Sequence, residues 1–199
     1  LFIVLLAVLD VILAKISGQE DIIVGIPAAG RRHMEMNTVI GMFVNTLALR
    51  SYPGGEKYFI EFLREVKDSS LEAIENQDYP FEDLVEEVAV RRDLSRNPLF
   101  DVMLVFQEIE FSEIRIPGLN LKPYKEENRE TKFDLTLRGE EVAGKIYFQL
   151  EYSTKLFKEE SIRGYTSFFK NIDSSILRDP GEKIYQISII TEAEKKHII

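Results

Sequence analysis

Histidine occurs only twice in this sequence, at His33 and His197, and cysteine is absent. Without cysteine the chain offers no disulfide, thiol nucleophile or thiolate metal site. His33 has no acidic orienter or nucleophile at recognisable spacing, so it reads as a loop histidine rather than a general base. No metal-ligand spacing, glycine-rich phosphate loop or serine–histidine–aspartate pattern is present. Three polar groups remain as candidates. Asn45 and Thr46 lie in a strand pattern among apolar neighbours. A buried amide and hydroxyl need partners, which either a substrate-facing role or nearby backbone can supply. Gln77 and Asp78 precede a helix expected from Pro80, where an Asp78 cap or side-chain turn is worth roughly 1 kcal/mol. Arg91, Arg92 and Arg96 fall within six residues, with Asp93 and Ser95 among them. Arginine forks match phosphate geometry. The same cluster also suits a helix end followed by a loop locked internally by Asp93 and Ser95.

The elements that must position these groups follow from hydrophobic period. The 199 residues are 45% hydrophobic and 30% charged, ordinary for a globular domain and far from disorder. The formal charge of −9 argues against a nucleic-acid partner, which demands a basic face. Residues 1–16 read as a helix apolar nearly all round, interrupted by Asp10 and Lys15. The run falls short of the roughly 18 residues a spanning helix needs, so it predicts a buried core helix rather than a membrane segment. Strands are expected at 21–27, 43–50, 99–107, 119–124, 132–138 and 145–152, the last two joined by a hairpin turn at 140–144. Helices are expected through residue 75, from residue 80 with a stripe of Phe81, Leu84, Val85 and Val88, and over 159–177. Tyr52, Pro53, Gly54 and Gly55 form a turn signal, and Asp179, Pro180 and Gly181 stop the last helix. The class is α/β, a mixed β-sheet flanked by helices.

Three stretches are too particular to be packing alone: IGMFVNTLALR at 40–50, NQDYPFE at 76–82 and RDLSRNPLF at 92–100. In order and spacing they resemble the last core motifs of nonribosomal peptide synthetase condensation domains, written IGxFVNTxxxR, (H/N)QDxPFE and RDxSRNPLF. SGQED at 17–21, VGIP at 24–27 followed by Arg31, and KFDL at 132–135 agree with that family. The resemblance spans essentially the whole chain.

That resemblance implies one half of a two-subdomain fold like chloramphenicol acetyltransferase, with the active site in a tunnel between the halves. The family joins a donor acyl or peptidyl thioester to the amine of an acceptor aminoacyl thioester, both borne on 4'-phosphopantetheine arms of carrier proteins. Its catalytic histidine belongs to an HHxxxDG motif that this chain lacks, so the chain alone is expected to be inactive. No directly bound cofactor or metal is implied. Arg31 matches the family's GxPxxxR arginine, which implies an ion pair with the HHxxxDG aspartate of the other half and leaves Arg31 exposed here. Asn45, Thr46, Gln77 and Asp78 would support the tunnel. Arg91, Arg92, Asp93, Ser95 and Arg96 would either meet a carrier or lock their own loop. Implied partners are the amino-terminal half, upstream and downstream carrier proteins and an adjacent adenylation domain, in the cytoplasm. Residues 1–188 would be the subdomain and 189–199 the start of a linker toward adenylation, with ISIITEAEKKHII at 187–199 resembling that exit. Residues 107–131 are candidates for a segment crossing to the other half. Two rival readings are a non-catalytic carrier-docking module and a related cyclisation or epimerisation domain. FVNT and SRNPLF resemble ordinary condensation more than epimerisation. A face meant for the other half should be exposed, with a tendency to self-associate.

Overall fold

The computed structural model describes residues 1–88, 96–108, 119, 130–142, 144–190 and 196. The first helix, α1 (Phe2–Ser17), ends at Gly18, whose φ of 71° is left-handed and whose N–H returns to Ala14 O. Glycine adopts that conformation without a Cβ penalty. Strand β1 (Ile22–Ala28) follows, then a short 3-10 turn (Met34–Thr38) and β2 (Asn45–Ser51). Helices α2 (Phe59–Glu75) and α3 (Phe81–Val88) precede β3 (Val102–Glu108), β4 (Leu135–Val142), β5 (Lys145–Tyr152) and α4 (Glu159–Arg178).

The five strands form one sheet in the order β2-β1-β3-β4-β5. β1 pairs antiparallel with β2 and parallel with β3, while β3–β4 is parallel and β4–β5 antiparallel. The expected mixed sheet flanked by helices is therefore what forms. Alternate residues Ile22, Val24 and Ile26 of β1, Leu47 and Leu49 of β2, Leu104 and Leu137 share one core. α1, Phe59, Phe62 and Val66 of α2, and Ile172 of α4 close that core. Period-2 burial on the strands meets period-3.6 burial on the helices, as one covered sheet face requires.

Several expectations shift in detail. The hairpin turn is tighter than 140–144, because Val142 pairs directly with Lys145 and Gly144 takes a φ of 71°. Phe133 precedes β4 rather than sharing its core face, and stacks on Phe100 with centroids 5.4 Å apart. Ile146 and Phe148 do share a cleft with Leu150, but both stay half-exposed because β5 is the sheet edge. The strand expected at 119–124 and most of the crossing segment expected at 107–131 lie outside the described residues. Among the described residues no helix is long and apolar enough to cross a membrane.

The segment after α4 is part of the body. Ile184 and Ile187 are buried in the core. Phe59 N–H donates to Glu182 O at 3.0 Å and Ile60 N–H to Pro180 O at 3.2 Å, satisfying two of the orphan donors that open α2. Ile184 and Tyr185 donate back to Lys57 O and Gly55 O, both at 2.9 Å. Asn171 Nδ2 donates to Ile189 O at 2.9 Å. Packing therefore runs through Ile187, where the resemblance to an exit linker begins, and touches Ile189.

One buried group works against the fold. Asp10 is 2% exposed in the middle of α1. Burial pushes its carboxyl up to about 8, and the neighbouring Ser51 hydroxyl pulls the other way. Neither Asp10 Oδ1 nor Ser51 Oγ completes a hydrogen bond. Both line a cavity of about 210 Å³ between α1, β2 and α2, together with Ser70. Ser70 Oγ itself is committed, donating to Val66 O at 2.6 Å.

Candidate functional site

Asn45 opens β2 and joins two of the motif stretches. Its Nδ2 donates to Gln77 O at 2.8 Å and to Tyr79 O at 2.7 Å. Its Oδ1 accepts from Thr46 N–H at 2.8 Å and from Phe81 N–H at 3.3 Å. A primary amide has two donor hydrogens and two acceptor lone pairs, so Asn45 is saturated. Of the two roles open to it in the sequence, the structure realises the backbone-bonding one. Its Oδ1 also caps the first turn of α3, taking the place expected for Asp78. Helix capping normally comes from the residue just before the helix; here it reaches over from a strand.

Asp78 instead pairs with Arg32 Nη1 at 2.5 Å, and both side chains are more than 40% exposed. An exposed pair of this kind contributes at most about 1 kcal/mol. Gln77 Nε2 returns to Ile74 O at 2.9 Å, closing the end of α2 rather than facing a ligand. Thr46 is half-buried and pairs with Pro27 in the β1–β2 ladder.

Arg31 is half-buried rather than exposed. Its Nη1 donates to Met36 O and, at 2.9 Å, to Val39 O, while Nη2 reaches Gly41 O at 3.2 Å. The guanidinium carbon lies 4.5 Å from the Phe43 ring centroid, a cation–π distance. Gly30, at a φ of 65°, permits this closeness, because a Cβ there would overlap Phe43 O. One side chain thus braces the whole 36–43 loop. His33 is exposed, and its carbonyl accepts from Met36 N–H at 2.9 Å. His197 lies outside the described residues.

The third motif is knitted in through aromatic rings. Phe100 sits 5.6 Å from Phe81 and 5.4 Å from Phe133, drawing together the stretches NPLF, YPFE and KFD. Its ring fills the space a side chain at Gly25 would occupy, so that position excludes any Cβ. Gly25→Ala should cost about 2 kcal/mol by overpacking. In urea denaturation most of that loss should vanish in the double variant Gly25→Ala with Phe100→Leu; strict additivity would show that the two do not compete for the same space. Arg96 pairs with Asp101 Oδ2, and Asn97 Nδ2 reaches Lys132 O at 3.4 Å. Burial raises the pKa of Asp134, nearby Asp101 adds to the rise, and Arg96 opposes it. The pair with Asp101 ties Arg96 to the residue that follows its motif. Arg91, Arg92, Asp93 and Ser95 lie outside the described residues.

Sequence reasoning missed Arg32, Phe43 and the Gly25–Phe100 fit. Each depends on a partner that is distant in sequence or carried by an irregular loop. Among the described residues no cluster of histidine and acidic side chains could hold a metal.

The arrangement is a braced scaffold in which three motifs meet. The chain matches the family model described as the condensation domain over residues 1–199. It is 46% identical over its full length to a stretch of surfactin synthase subunit 1 of Bacillus subtilis (strain 168), covering 6% of that protein. It is 48% identical over 196 residues to tyrocidine synthase 3 of Brevibacillus parabrevis, covering 98% of this chain and 3% of that one. The chain thus spans a small fraction of these curated relatives. Among solved structures, 98% of it superposes on 16% of a holo four-domain nonribosomal peptide synthetase bound to AMP and glycine, with a TM-score of 0.88 at 23% identity. The X-domain from teicoplanin biosynthesis gives a TM-score of 0.83 at 22% identity, over 96% of this chain and 44% of that one. The chain belongs to the condensation-domain family of nonribosomal peptide synthetases.

Proposed function

We propose that this chain is the carboxy-terminal half of a condensation domain and forms one wall of its tunnel. In the reaction the acceptor amine attacks the donor thioester carbonyl. A C–N bond forms, the C–S bond breaks, the donor arm leaves as a thiol and the amine loses a proton. The histidine of HHxxxDG comes from the other half; this chain supplies positioning. Residues 1–188 are the subdomain and 189–199 begin the linker toward an adenylation domain. The substrates arrive on 4'-phosphopantetheine arms of upstream and downstream carrier proteins, and the chain itself binds no cofactor.

The observation that carries this reading is the state of Arg31. Both Nη1 hydrogens and one on Nη2 hold the loop carbonyls. That leaves the edge formed by Nε–H and the second Nη2–H without a partner among the described residues. This edge is the fork that takes a carboxylate side-on with two parallel bonds. It suits the HHxxxDG aspartate that the resemblance assigns to Arg31.

Reconstitution tests the proposal. This chain is co-produced with the amino-terminal half, donor and acceptor carriers are loaded, and mass spectrometry reads the dipeptidyl thioester. Product should disappear when the second histidine of HHxxxDG is replaced. It should fall roughly tenfold, equivalent to about 1.4 kcal/mol, in Arg31→Ala that retains its circular dichroism spectrum. A folded, assembled complex that makes no product across a broad substrate panel would favour the carrier-docking module.

A further inference from the structure

Asp10 is buried on a helix whose other buried residues are all apolar. Its Oδ1 and the Ser51 hydroxyl are both buried without a hydrogen-bond partner among the described residues. Buried polar groups are nearly always paired, so two orphans side by side call for an explanation. Both face the same space, the cavity of about 210 Å³ between α1, β2 and α2. Ser51 closes β2 at the end opposite Asn45. A third oxygen is at hand, because Ser70 Oγ gives its proton to Val66 O and keeps lone pairs to accept with. Leu6, Leu49, Phe62 and Val66 supply apolar walls. The charged groups facing the cavity from β2 and α2 are Arg50 and Glu65, and Tyr52 lies beside them. Arg50 is committed to Asp21 at 2.8 and 2.6 Å, and Glu65 to Lys57 at 2.5 Å.

We propose that this cavity binds a small primary alkylammonium, its charged head on Asp10 and Ser51 and its stem against the apolar walls. Three considerations select that chemistry. An anion would meet the carboxyls of Asp10 and Glu65, while the cation that could receive it, Arg50, is held by Asp21. A hard metal ion asks for about six oxygen ligands. The walls offer carbon instead, and among the described residues no group of three histidine or acidic side chains could hold a metal. An ammonium needs only acceptors for three N–H donors, and the oxygens of Asp10, Ser51 and Ser70 match that number. The space equals about seven waters at ~30 Å³ each, ample for an amine with a four-carbon stem. Binding also couples to a proton. Without a cation beside it the Asp10 carboxyl stays protonated up to about pH 8. An ammonium favours the carboxylate, so its entry at neutral pH expels that proton.

The test titrates n-butylammonium chloride into the complete condensation domain by isothermal calorimetry, beside 1-butanol and potassium chloride at equal ionic strength. Saturable binding of the ammonium is expected, at least tenfold tighter than that of 1-butanol. At pH 7 the heat should scale with buffer ionisation enthalpy as release of nearly one proton. At pH 9, where an alkylammonium is still charged, the release should vanish and affinity should rise about tenfold. Asp10→Asn should weaken binding at least tenfold and remove both pH effects, and Ser51→Ala should weaken it severalfold. Equal binding by the parent and Asp10→Asn would overturn the proposal. 1-Butanol binding as tightly as the ammonium would overturn it in favour of a neutral hydrogen-bonding guest. Potassium binding that competes with the ammonium at equal strength would overturn it in favour of a metal ion. Absence of saturable ammonium binding at both pH values would overturn it in favour of a cavity that holds only water.

Discussion

Asp10→Asn should stabilise the protein by several kcal/mol at neutral pH and by nothing near pH 4. The carboxyl titrates near its ordinary 3.8 when unfolded and at about 8 when folded. The folded state thus holds a proton that the unfolded state releases, and folding takes up a proton between those values. Stability is then highest below the unfolded value, falls as pH rises, and flattens above the folded value. This is the reverse of the behaviour of a salt-bridged carboxylate. At about 1.36 kcal/mol per pKa unit the accumulated loss is on the order of 4 kcal/mol at pH 7, a large share of a typical total of about 5–15 kcal/mol. Asparagine keeps the shape and cannot ionise. Urea midpoints measured from pH 4.5 to 9 should decline for the parent and hold nearly level for the variant, the two curves converging at the acid end. Parallel curves would mean that Asp10 is ionised and paired in the native state.

Asn45→Ala should be the most damaging single change among the motif residues. It removes four hydrogen bonds at once and strands the Gln77 and Tyr79 carbonyls and the Phe81 N–H. Each bond contributes about 1 kcal/mol net, and three of the four are half-buried, so a loss of roughly 3 kcal/mol is expected. Asn45→Asp should be as damaging, because a carboxylate oxygen would face two carbonyl oxygens where the Nδ2 hydrogens now point. Hydrogen exchange provides the specific readout: Phe81 N–H should lose protection ahead of the α2 core. If stability falls by less than about 0.5 kcal/mol, or Phe81 keeps its protection, Asn45 is free for a substrate-facing role after all.

These two residues show where the sequence was informative and where it was not. Long periodic segments declared themselves: β5 spans the expected residues, and α1 and α4 end within a residue of expectation. Their signals are local, since Gly18, the alternation of β5 and the Asp179–Gly181 stop all act on their own neighbourhood. The Asn45 latch was half legible. A polar pair in an apolar strand demands partners, but nothing local says that they lie 32–36 residues away in the turn before α3. Asp78 was misassigned for the same reason, its nominal cap position being served from β2. Asp10 was visible only as an interruption of an apolar run. That it lies inside follows from α1 being covered on all sides, as its all-round apolar sequence predicts, whereas the cavity it shares with Ser51 and Ser70 has no local signal. Gly25 reads as an ordinary strand glycine until Phe100 is seen occupying its side-chain space.

The two carbonyls that cap α2 carry a consequence for how the chain is made. Pro180 and Glu182 emerge from a ribosome about 120 residues after the helix they start, and Ile184 and Ile187 complete the core only after that. Contacts of such sequence separation form late and slow folding, because a long loop must close before they reward it. During synthesis the amino-terminal end of α2 has open donors and the core an open side until the last stretch is out. The domain therefore commits to its native state near the end of its own translation, and nascent chains halted before residue 187 should remain open to proteases that the finished fold resists.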